Sequence, residues 1–186
     1  LQGRYDTVLA GAAEEYSEVV EGVYQQMGCY TGIKPEYLPS PGTQRKMKGS
    51  FKISEASLFF KLEKSAGGKT LEPPVYYSPL EQDSDFEPDL VISSAGGFLA
   101  DRYALKILKT LFSEFKTPKP LLFSKPLFGE NFAPGSLVPV FMAWALFKYH
   151  LSFPSYPVHP AIPMISRSYF PGQIRKVLVL STGQDG

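Results

Sequence analysis

Few side chains in this sequence could carry covalent or acid–base chemistry, and they lie far apart. There is one thiol, Cys29, and there are two imidazoles, His150 and His159. A thiolate nucleophile needs a setting that lowers its pKa, such as a helix N-terminus or a neighbouring cation. Cys29 follows Gly28 late in a helix-like stretch and precedes a Pro-rich loop, so it reads as a structural thiol. Being single, it excludes an intrachain disulfide framework, which fits a reducing, cytoplasmic setting. His150 closes an apolar helical stretch, where a cation is favoured by the helix dipole, and His159 lies between prolines. Both read as structural, and neither a metal nor a cofactor is expected. Arg45, Lys46 and Lys48 form a basic cluster that either stays solvated or meets an acidic partner by charge complementarity.

The elements that must position such groups follow from periodicity. Tyr5 to Ala10 is a short apolar run halted at Gly11 and predicts a buried strand. Ala12 to Met27 predicts a helix, with Glu14, Glu15 and Glu18 crowding its start. The Pro- and Gly-containing stretch from Tyr30 to Gly49 predicts a loop. Phe51 to Glu63 has strand character at its end, and Val75 to Tyr77 suits an edge strand between turns. Leu90 to Ser93 predicts a second buried strand, running into the small residues Ser94, Ala95, Gly96 and Gly97.

Asp101 to Phe115 has the clearest amphipathic pattern. Tyr103, Ile107, Leu108, Leu111, Phe112 and Phe115 recur at helical spacing, while Lys106, Lys109 and Glu114 fall opposite. Leu121 to Ser124 predicts a short strand. Ser136 to Tyr149 predicts a helix apolar nearly all round, hence buried, with Pro139 tolerable only near its start. Ser152 to Pro163 reads as coil, Lys176 to Ser181 as the last strand, and Gly183 to Gly186 as a terminal loop. Strands alternating with helices predict an α/β protein with a largely parallel sheet.

Composition is that of an ordinary globular domain: 186 residues, 44% hydrophobic and 20% charged, enough for one domain with a real core. A net charge of +1 gives no broad electrostatic case for nucleic acid or an anionic membrane. The longest apolar run, Leu137 to Phe147, is too short to span a bilayer and ends at Lys148. The chain starts at Leu1, directly before a strand-like run and without a basic region leading into an apolar core. The expectation is a fragment, a processed chain or one subunit of a split protein, here a single domain over residues 1–186 truncated at both ends.

Four segments carry a resemblance in order along the chain. The first runs from Gly3 to Glu14 and ends Gly11-Ala12-Ala13-Glu14. The second is Phe51-Lys52-Ile53-Ser54-Glu55-Ala56-Ser57 and the run to Glu63. The third is Ser93-Ser94-Ala95-Gly96-Gly97-Phe98-Leu99-Ala100-Asp101. The fourth is Lys125-Pro126-Leu127-Phe128-Gly129-Glu130-Asn131-Phe132-Ala133-Pro134-Gly135. They resemble the C-terminal half of the β-ketoacyl-acyl-carrier-protein synthases, of the thiolase fold. The family patterns are a strand ending Gly-Gly-x-Glu, Phe-x-x-Gly-Glu-Gly-Ala before a strand ending Leu-Glu, His-Gly-Thr-Gly-Thr-x-x-x-Asp before a helix, and Lys-x-x-x-Gly-His before an Ala-x-Gly turn. Glu55, Glu63, Gly96, Asp101, Lys125, Gly129, Ala133 and Gly135 match. Ala12, Ser54 and Ala56 stand where glycine is usual, Ser93 and Glu130 replace the two catalytic histidines, and Gln184 replaces an aromatic near the acyl pocket. Each motif alone is common; their order and spacing carry the likeness.

The resemblance implies a thiolase-like layered α/β fold, mainly the C-terminal half with one strand-containing remnant of the N-terminal half. It places Ser93, Lys125 and Glu130 at catalytic positions and Gly96, Gly97, Gly129, Gln184 and Glu55 at the substrate pocket. In the family, a cysteine at a helix N-terminus takes the acyl chain and two histidines stabilise an enolate oxygen. A serine offers one hydrogen bond and no charge, and a carboxylate at Glu130 would repel the enolate. Glu130 could instead act as an acid or base if burial raised its pKa, and Lys125 could pair with Glu130 or Glu55.

Three functions follow as expectations. One is a non-condensing β-ketoacyl synthase-like protein of fatty-acid or polyketide-type biosynthesis, acting as a chain-length-factor-like partner. Another is a subunit or fragment of an active acyltransferase whose nucleophile lies upstream. The third is a different α/β enzyme using Lys125, Glu130 or Glu55. The implied partners are a second copy or an active synthase, with an acyl carrier protein possible at Arg45, Lys46 and Lys48. A chain holding one half of such a fold is expected to leave an apolar face exposed.

Overall fold

The run Leu90–Ser93 forms a strand whose four residues are all completely buried. A strand covered on both faces reads as a continuous apolar run rather than an alternating one, as in parallel sheets. It occupies an interior place in a four-stranded sheet. The computed structural model describes residues 6–26, 54–63, 86–95, 102–129, 132–154, 165–166 and 171–181.

In chain order the elements are β1 (Thr7–Glu14), α1 (Glu18–Gln26), β2 (Ala56–Glu63), β3 (Leu90–Ser93), α2 (Arg102–Glu114) and β4 (Lys119–Phe123). Then come α3 (Lys125–Phe128), α4 (Phe132–Gly135), α5 (Val138–Tyr149), β5 (Ile165–Ser166), a 3-10 turn at Pro171–Gln173 and β6 (Val177–Leu180). The sheet order is β5-β4-β3-β6 and every pairing in it is parallel. In register, Val91 faces Leu121 and Leu178, and Ser93 faces Phe123 and Leu180. The predicted α/β class and parallel sheet are therefore present.

Strand alternation divides the core into two layers. Val91, Leu121, Phe123 and Leu178 meet Ala104, Leu108 and Phe112 of α2 on one face. Leu90, Ile92 and Leu122 meet Val138, Met142, Ala143 and Leu146 of α5 on the other. The amphipathic reading of α2 matches this packing, since Leu108 and Phe112 are buried and Lys106 and Lys109 are exposed. The all-round apolar α5 is the more deeply covered helix, with Met142 and Leu146 inaccessible to solvent. Each such side chain contributes roughly 1.5–3 kcal/mol by leaving water. Pro139 sits in the first turn of α5, where its missing N–H costs nothing, and the helix ends at His150 in the left-handed region, φ 52°.

Acidic side chains tie the amino ends of the sheet. Asp89 Oδ2 accepts the backbone N–H groups of Arg175 and Lys176 at 2.8 and 2.9 Å, and the Asp89 N–H donates to the Lys176 carbonyl at 2.8 Å. Glu87 accepts the Lys116 N–H at 2.6 Å and pairs with the Lys119 ammonium at 2.6 Å.

The N-terminal elements depart from the sequence expectation. The first strand does not stop at Gly11 but continues to Glu14, and the helix starts at Glu18 rather than Ala12. The reason lies across the ladder. β1 pairs with β2 antiparallel over eight residues, from Thr7 opposite Glu63 to Glu14 opposite Ala56. The Phe59 ring covers its register partner Gly11, filling space that a side chain on Gly11 would need. Nor is β1 buried on both sides: Val8, Ala10, Ala12 and Glu14 are half-buried, while Thr7, Leu9, Gly11 and Ala13 are exposed. The inner side of the pair packs against α4, and Leu58 joins the α5 side of the core. β5, α3 and α4 had no counterpart in the sequence reading. Val75 to Tyr77, Cys29, His159 and the terminal loop lie outside the described residues, as does the coil beyond Pro154.

Candidate functional site

The carboxyl ends of parallel strands are where open α/β sheets bind ligands. Here those ends are joined by backbone hydrogen bonds beyond the regular ladder. The Ser124 N–H donates to the Ser93 carbonyl at 3.0 Å, and the Ser94 N–H donates to the Leu180 carbonyl at 2.9 Å. β4, β3 and β6 thus finish level with one another. The buried polar side chains among the described residues are three serines, Ser93, Ser94 and Ser124, and all stand at this edge. The Ser93 Oγ accepts the N–H of Ala95 at 3.2 Å, turning the chain sharply off the strand.

The next segment of this edge grows out of β4. After Ser124 the chain makes one helical turn, α3, with Pro126 at a position where its missing N–H is harmless. The Ser124 carbonyl accepts the N–H groups of Leu127 at 3.0 Å and Phe128 at 2.9 Å, and the Lys125 carbonyl accepts that of Gly129 at 2.8 Å. Gly129 ends the turn with φ 77° and ψ −171°, a combination open essentially to glycine alone. The hydroxyl of Ser54 donates to the Phe128 carbonyl, which fastens the residue ahead of β2 to this turn.

Of the residues singled out from sequence, the structure brings Ser93, Lys125 and Gly129 into neighbouring segments. Lys125 is half-buried and adjoins Ser124, the residue bonded to Ser93. Glu55 is exposed and accepts the Tyr16 N–H at 3.1 Å, so its described bond runs to the segment between β1 and α1. Glu130, Gly96, Gly97 and Gln184 lie outside the described residues, as do Arg45, Lys46 and Lys48. Ser94 and Ser124 were missed. A signal existed: two apolar runs, Leu90–Ile92 and Leu121–Phe123, are each closed by serine.

Chemically, this edge offers hydroxyls and backbone groups, with Lys125 as the adjoining cation. Hydroxyls can donate and accept single hydrogen bonds but do not carry charge at neutral pH. Among the described residues no group of three or more His, Cys, Asp or Glu side chains could hold a metal ion, and no helix is long and apolar enough to cross a membrane. No family model, curated protein or solved structure matches the chain.

Proposed function

We propose that this chain is a β-ketoacyl synthase-like subunit of fatty-acid or polyketide-type biosynthesis that does not condense acyl chains itself. It works in the cytoplasm beside an active synthase, where its pocket edge helps set acyl length. The observation that carries the reading is the state of Ser93. The residue at the first histidine position of the family pattern is a fully buried serine whose oxygen accepts the Ala95 N–H. It lacks the charge an imidazolium brings to a developing enolate. Support also comes from the motif-bearing segments. Two of them flank the joined ends of β3 and β4, and the other two form the antiparallel pair β1–β2.

The test uses the purified chain, a malonyl-loaded carrier protein and an active synthase. Alone, the chain is expected to release no carbon dioxide from the malonyl group. Added to the synthase, it is expected to form a complex and shift the product lengths seen by mass spectrometry. Decarboxylation or acyl transfer by the chain alone would overturn the reading.

A further inference from the structure

We draw no further inference here: the strongest candidate, the exposed apolar face of the β1–β2 pair around Leu9 and Phe59, carries nothing because nothing in the structure shows what covers it.

Discussion

Ser124 gives its backbone N–H to the carbonyl oxygen of Ser93, so the ends of two adjacent parallel strands are pinned at 3.0 Å. The Ser93 side chain continues the arrangement by accepting the Ala95 N–H where the chain leaves the sheet. Replacing Ser93 by Ala removes that acceptor in a site closed to water. A buried N–H left without a partner costs about 1–3 kcal/mol. Urea denaturation of Ser93→Ala should show a loss of that size, whereas Ser113→Ala, on the exposed side of α2, should stay within about 0.5 kcal/mol of the parent.

Gly129 closes the turn after β4 in a backbone conformation that a Cβ atom opposes. The Gly129→Ala variant therefore has to strain the turn or rebuild it, at a cost of about 1–3 kcal/mol. Because the Phe128 carbonyl is held by Ser54 and the Gly129 N–H by Lys125, rebuilding would also disturb the junction between this turn and β2. Amide hydrogen exchange should speed up at Leu127, Phe128 and Gly129 in the variant and remain unchanged in α2.

Much of this framework was legible before any coordinates. The buried strand at Leu90–Ser93, the amphipathic α2, the apolar α5 and the closing strand at Val177–Leu180 each follow from runs or periods long enough to read locally. What was not legible depends on distant partners or on brevity. β1 continues through Gly11 because Phe59, far along the chain, covers the glycine. α3 and α4 have four residues each and β5 has two, too few to show a period. At the site, Ser93 and Lys125 could be named from sequence. Ser124 showed only as the serine that closes an apolar run, and its burial arises when β4 lies beside β3.

The Gly11–Phe59 pair gives a direct check on that account. A Cβ placed on Gly11 would collide with the Phe59 ring and come within 2.6 Å of the Leu58 carbonyl oxygen. The ring can swing aside, but the backbone oxygen moves only with the strand. Gly11→Ala is expected to cost about 1–3 kcal/mol, as overpacking does. In a double-mutant cycle, Phe59→Ala should relieve part of that cost. The coupling should reach about 0.5 kcal/mol or more, because the two residues touch. Additive effects would mean that the ring does not lie over Gly11.

Glu87 should govern part of the response to acid. The Lys119 ammonium and then the Lys116 N–H hold its carboxyl below the ordinary value of 4.5, against a weaker opposing effect of desolvation. A carboxyl with a lowered pKa in the folded chain stabilises that chain when ionised, at pH above its unfolded value. The contribution fades as pH falls through the folded value. Glu87→Gln keeps the shape but gives up the charge, so it should lower the urea midpoint at about pH 7. Parent and variant should then converge as pH falls from the ordinary value of 4.5 through the lowered folded value, where the parent carboxyl is itself becoming protonated. The effect should be modest and should shrink with added salt, since Glu87 is partly open to solvent. A midpoint difference that widened on acidification would mean that Glu87 does not supply this part of the acid response.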